Sequence, residues 1–216
     1  MIIESAGPAA LDAGIRKGDT LISINGNRIH DLIDYMFYRN EPGNMVYERE
    51  GKKHGVFLDK DAGLELGHFR VKTCRNKCTF CFVSQLPGGL RRTLYVRDED
   101  YRMSFLYGNY ITMTNLNDAA KKRIVEQKLS PLYISVHSTD RKTRNQILGN
   151  PDAPDIMKEL RFLSKNGIRT HTQVVMCPGI NDGAALKKTI TDLYTLYPYV
   201  SSIAVVPVGL TAHGKH

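Results

Sequence analysis

The sequence predicts an α/β protein, with a small, mainly β unit over residues 1–66 followed by a unit of alternating strands and helices over residues 67–216. Two observations carry this. Up to about residue 66, short apolar runs are separated by Gly, Asn and Asp turns, the punctuation of strands and hairpins. Beyond it, β-branched runs alternate with helical stretches, the pattern of a parallel sheet that is either barrel-like or open.

Taken in order, Ile2-Ile3 begins a strand, residues 9–14 form a short helix, Lys17-Gly18-Asp19 turns the chain, and 21–24 is a strand. Asn25-Gly26 is a tight hairpin signal. Residues 32–38 read as a helix, and 46–50 with 55–58 as a hairpin around Gly51-Lys52-Lys53. In the second unit the strands are 68–73, 110–114, 132–136, 168–176 and a buried 201–208 built on Ile203, Ala204, Val205 and Val206. The helices are 118–128 with Asn117 as its cap, 155–166 ended by Gly167, and 184–197. No helix follows the fifth strand, so the sheet reads as unfinished.

Hydrophobic residues make up 42% and charged residues 24% of the 216, as in ordinary globular chains. No apolar run approaches the roughly 20 residues that span a bilayer, which excludes an integral helical membrane protein. MIIESAGPAALDAG lacks the basic and apolar regions of a secretory signal, so the cytoplasm is the expected compartment. Thirty Lys and Arg against 22 Asp and Glu give a net charge of +8. The densest basic group is Arg91, Arg92, Arg97 and Arg102, which is either a solvated face or a site for a polyanion.

Three of the four cysteines lie within eight residues, as Cys74, Cys78 and Cys81, a C-x3-C-x2-C run. Neighbours this close cannot pair without strain, and in a cytosolic chain they point to metal. Three thiolates from one loop can hold three irons of a [4Fe–4S] cluster and leave the fourth without a protein ligand. Zinc would need a fourth ligand from His68, His137, His171 or Cys177, and inert thiols remain the bland alternative.

With Phe80 just before the third cysteine, the motif resembles the radical S-adenosylmethionine superfamily. The segments ISVHSTDRKTRNQILGN, THTQVVMCPGIND and SIAVVPVGLT extend the likeness to a branch with an N-terminal PDZ-like domain and a C-terminal domain of unknown function, DUF512. Gly14, Gly18-Asp19 and Ile24-Asn25-Gly26 carry the PDZ-like pattern. The resemblance implies a partial (β/α)6 barrel and a sequence that is C-terminally incomplete. It also implies S-adenosylmethionine chelated by the open iron and cleaved reductively to a 5′-deoxyadenosyl radical. An electron donor such as flavodoxin or ferredoxin, and an unknown substrate, protein, peptide or RNA, follow from the same likeness.

Many members hold the methionine amino group with a Gly-Gly-Glu motif after the second strand. This chain has Met113-Thr114-Asn115 there, so Thr112, Thr114 and Asn115 are the polar candidates and none supplies a carboxylate. His137 ends the third strand, and Gln173 lies on a strand of alternating polarity, so both are candidates for the cofactor. Arg141 and Arg144 either pair with a carboxylate or, the reading preferred, decorate a helix start, and Cys177 is a small buried residue in preference to a substrate-side thiol or auxiliary ligand.

Overall fold

The computed structural model describes residues 1–59 and 61–213, and the chain divides into two units, Met1–Arg70 and Val71–His216. The first contains β1 (Ile3–Ser5), α1 (Pro8–Asp12), β2 (Thr20–Ile24), β3 (Asn27–Arg28), α2 (Leu32–Tyr38), β4 (Gly43–Arg49), β5 (Lys52–Leu58) and β6 (Glu65–Leu66). β3, β2, β4 and β5 form an antiparallel sheet in that order, and β1 pairs antiparallel with β6. Asn25 and Gly26 take φ of 50° and 77°, which makes the expected two-residue turn between β2 and β3.

The second hairpin is tighter than the sequence predicts. Arg49 pairs with Lys52, so Glu50-Gly51, at φ 51° and 75°, is the whole turn and Lys52 and Lys53 belong to β5. Asp31 caps α2 by accepting from the Ile33 and Asp34 N–H groups. Ile3, Ile15, Leu21, Ile24, Tyr35 and Met45 are buried in the core of this unit.

The second unit contains α3 (Tyr101–Tyr107), α4 (Asp118–Glu126), β7 (Leu132–Ser135), α5 (Arg141–Leu148), α6 (Ile156–Lys165), β8 (Thr170–Met176), α7 (Gly183–Tyr194) and β9 (Val200–Pro207). β7, β8 and β9 form one parallel sheet in chain order. This is the strand–helix alternation of the sequence, since a parallel partner needs a crossover and a helix supplies it. Asn117 caps α4 through the Ala120 N–H, and Gly167, at φ 76°, follows α6 as its stop. The sheet is open.

Two expected strands are absent. Residues 110–114 contribute a single parallel bridge, Ile111 to Ile134, because the chain turns at Met113, φ 60°, and the Thr112 N–H goes to the Glu99 carboxylate instead of a neighbouring strand. Residues 68–73 make one antiparallel bridge, Thr73 to Asp98, and the Lys72 N–H is taken by the Asp100 side chain. The last strand is not buried as expected. Val205 is 41% exposed and Ser201 and Ser202 are exposed, since β9 stands at the end of the strand order with β8 as its neighbour. Among the described residues no helix is long and apolar enough to cross a membrane.

Candidate functional site

Cys74, Cys78 and Cys81 are free thiols, each partly exposed, on a loop held by backbone bonds from two directions. Cys74 N–H donates to Arg97 O at 2.7 Å, while Lys77 and Thr79 N–H donate to Leu148 O and Ile147 O at the end of α5, at 2.8 and 3.2 Å. Gly149 follows α5 at φ 55°, and a Cβ there would come within 2.5 Å of Lys77 O. Glycine is what lets the cysteine loop approach so closely.

The three cysteines line one cavity of about 630 Å3, a size that suits a small molecule. Its apolar wall includes Phe80, Val83, Val96 and Val175, and its polar groups include Arg97, Glu99, Thr112, His137 and Gln173. Burial, with Cys74 and Cys81 nearby, pushes the Cys78 thiol up to about 12, and burial raises Cys74 as well. Thiols in such a place become thiolates only with a metal's positive charge beside them. Among the described residues no group of three or more His, Cys, Asp or Glu is arranged to hold a single metal ion. Three sulfurs from one loop at one cavity instead match the donor set of a multi-iron cluster held at three corners.

Of the five candidate cofactor residues, the structure brings Thr112, His137 and Gln173 to this cavity. Thr114 and Asn115 stand behind it: the Thr114 N–H and the Asn115 side-chain amide both bond to Glu99, at 3.3 and 2.9 Å. His137 is 3% exposed, sits edge-on to Phe80 with ring centroids 4.8 Å apart, and accepts the Val175 N–H at Nδ1, 3.3 Å. That bond leaves its proton on Nε2. Burial, reinforced by the Arg144 charge, lowers its pKa to about 3, so the ring is neutral at physiological pH. Its backbone, at φ 62°, is held by Asn181, whose side-chain amide donates to His137 O and Val175 O at 2.7 and 2.9 Å.

Neither His171 nor Cys177 lines the cavity. His171 bonds Ser202 Oγ at 2.8 Å and stacks on Tyr133, and Cys177 is buried beside Val175 O.

Arg144 is not decoration. It is 1% exposed and donates to Val136 O, Pro154 O and Thr112 O at 3.1, 3.1 and 2.7 Å.

Sequence reasoning passes over three further residues. Glu99 lies between Asp98 and Asp100, yet it is 1% exposed. Asn76, inside the cysteine motif and 2% exposed, donates its N–H to Cys74 Sγ at 3.4 Å and its side-chain amide to Thr112 and Thr114 Oγ1 at 2.8 and 3.1 Å. Its place between two cysteines was the available signal. Gln85, also buried, donates to Phe80 O and Gly209 O and accepts the Thr211 N–H, at 3.3, 3.2 and 2.8 Å. It thereby ties the cysteine loop to the segment after β9, with no signal in the sequence.

A family model described as a radical SAM-like domain matches residues 57–203. That is well over half of the chain, and the protein belongs to this family. A solved structure, Streptococcus suis SuiB bound to S-adenosylmethionine, is similar over 50% of this chain and 24% of that one, at 13% identity and a TM-score of 0.37. This chain thus spans about a quarter of that protein's length, and so distant a likeness carries no inference. No curated protein matches the sequence.

Proposed function

We propose that the protein is an iron–sulfur radical enzyme that cleaves S-adenosylmethionine reductively and directs the resulting radical at a second substrate. One observation carries the reading: three free thiols of a C-x3-C-x2-C loop line the same small-molecule cavity as Thr112, His137 and Gln173. Cys74, Cys78 and Cys81 would hold a [4Fe–4S] cluster with one open iron. Such a cluster, when bound and reduced, supplies the electron that breaks the S–C5′ bond of S-adenosylmethionine.

The chain's own part is binding, orientation and exclusion of water. Phe80, Val83 and Val175 give the cavity an apolar wall, which suits an adenosine and keeps water from a reactive radical. Gln173 and the neutral imidazole of His137, a donor at Nε2, offer hydrogen bonds to a nucleoside without adding charge. Arg97 lines the same cavity and offers a guanidinium to a carboxylate.

The open parallel sheet is part of a (β/α)6 barrel, residues 1–66 are a PDZ-like domain, and the chain falls in the branch that ends in DUF512. The substrate is a protein, peptide or RNA, and reduced flavodoxin or ferredoxin in the cytoplasm delivers the electron.

Anaerobic reconstitution with iron and sulfide, dithionite reduction and assay of 5′-deoxyadenosine test the central claim. The expected result is a brown protein that makes 5′-deoxyadenosine, and a Cys78→Ala variant that loses both, because two thiolates do not retain a cubane. A full cluster in Cys78→Ala contradicts the ligand assignment. A full wild-type cluster with unaltered S-adenosylmethionine supports a non-catalytic metal protein instead.

A further inference from the structure

Residues 112–114 form a turn with a buried, left-handed non-glycine residue at its centre. Met113 is 1% exposed at φ 60°, a strained conformation that persists only where the surroundings impose it. The Glu99 carboxylate imposes it. It accepts the Thr112 N–H at 2.8 and 3.0 Å, the Thr112 hydroxyl at 2.8 Å and the Thr114 N–H at 3.3 Å. Successive N–H groups converging on one point make an anion-binding concavity, and here the anion is part of the chain.

A positive charge holds the same residue from its other end. Arg144 donates to Thr112 O at 2.7 Å, so the carboxylate takes the N–H of Thr112 and the guanidinium takes its carbonyl. The hydroxyls of Thr112 and Thr114 face Asn76, which bonds Cys74 Sγ through its N–H and is itself braced by Asn150 Nδ2 at 2.8 Å. A continuous path of hydrogen bonds therefore runs from Glu99 to the cysteine loop.

We infer that Glu99 is a positioning residue: its carboxylate fills the anion site of the 112–114 turn and, through Thr112 and Asn76, sets the cysteine loop for its cluster. With three donors on its two oxygens, the Thr112 N–H shared between both, it is committed to the turn. The last link, to the cluster, rests on the function proposed above.

The test uses the full chain, with formate as the probe. In Glu99→Ala the turn keeps its N–H groups and loses its anion. Cluster retention should fall by about tenfold, the loss typical when an outer partner of a metal ligand is removed. The electron paramagnetic resonance lineshape of the reduced cluster should change. Formate should restore both in a saturable way, and chloride at equal ionic strength should not. In Glu99→Gln the amide oxygen can still accept at the Oε1 position while Nε2 faces the Thr112 N–H in place of Oε2, so the loss should be smaller than in Glu99→Ala and formate, excluded by the amide, should not change it. A readout that needs no cluster is a formate-dependent rise in the melting temperature of iron-free Glu99→Ala, absent in wild type.

Wild-type iron content and lineshape in both variants overturn the inference, as does a Glu99→Ala protein indifferent to formate by both readouts. Either result would leave the radical-enzyme reading standing, since that reading fails separately if the wild-type chain takes up no cluster.

Discussion

Asp19 is 2% exposed and receives two bonds from one guanidinium: Arg49 Nε to Oδ1 and Nη2 to Oδ2, both 2.7 Å. The Arg16 N–H adds a third at 2.8 Å. Arg49 holds the Asp19 carboxyl below its usual range, against the opposing effect of burial. A carboxyl lowered in the folded state contributes stability above its unfolded value, about 3.9, and loses it as pH falls through the lower folded value. Asp19→Asn should therefore melt below wild type at neutral pH, with the gap closing as pH drops under about 4. An unchanging gap in a thermal melt series down to that range would show that charge is not what Asp19 contributes. The sequence marks Lys17-Gly18-Asp19 as a turn, but a partner 30 residues away in β4 leaves no local sign.

At the scale of elements, α5 anchors the second unit because its Arg144 reaches three backbone carbonyls, one each at Val136, Pro154 and Thr112. Arg144→Met would strip the guanidinium from all three carbonyls, of which Val136 O keeps the Ser138 N–H at 2.8 Å, and would leave the buried Glu99 carboxylate without its nearby positive charge. A loss of about 2–6 kcal/mol is expected, at about 1–3 kcal/mol for each buried carbonyl, Pro154 O and Thr112 O, that loses the guanidinium. Urea unfolding of the iron-free chain measures it, and a loss below about 1 kcal/mol, the range of exposed pairs, would refute the structural role. β7, β8 and the α4 and α6 helices were legible because their apolar runs, caps and stop glycine are local. Residues 110–114 were not, since a distant carboxylate diverts the Thr112 N–H out of the ladder.

For the whole molecule, a net charge of +8 favours a polyanionic partner only if the charge is placed to meet one. Arg91 and Arg92 are exposed, whereas Arg102 is committed to Asp100 at 2.6 Å. With a single-stranded RNA oligonucleotide as probe, affinity should fall steeply with salt. Arg91→Ala with Arg92→Ala should flatten the log–log slope by about 1.4, at roughly 0.7 for each phosphate no longer neutralised. Salt-independent binding, or an unchanged slope in the double variant, would count against an RNA substrate at this face.

What the sequence determined by itself was whatever depends on neighbours along the chain. That covers the cysteine spacing, the Asn25-Gly26 turn, the alternation of strands with helices, and the family, which the match over residues 57–203 shows. What only the tertiary structure decided was the company those parts keep. It brought Thr112, His137 and Gln173 to the cysteine cavity, left Thr114 and Asn115 behind it, and buried Glu99 and Arg144 on either side of one residue, Thr112. The physical reason is that desolvation and hydrogen-bond satisfaction are properties of a folded neighbourhood. A Glu in an acidic run and an Arg at a helix start show their burial only once the chain has closed around them.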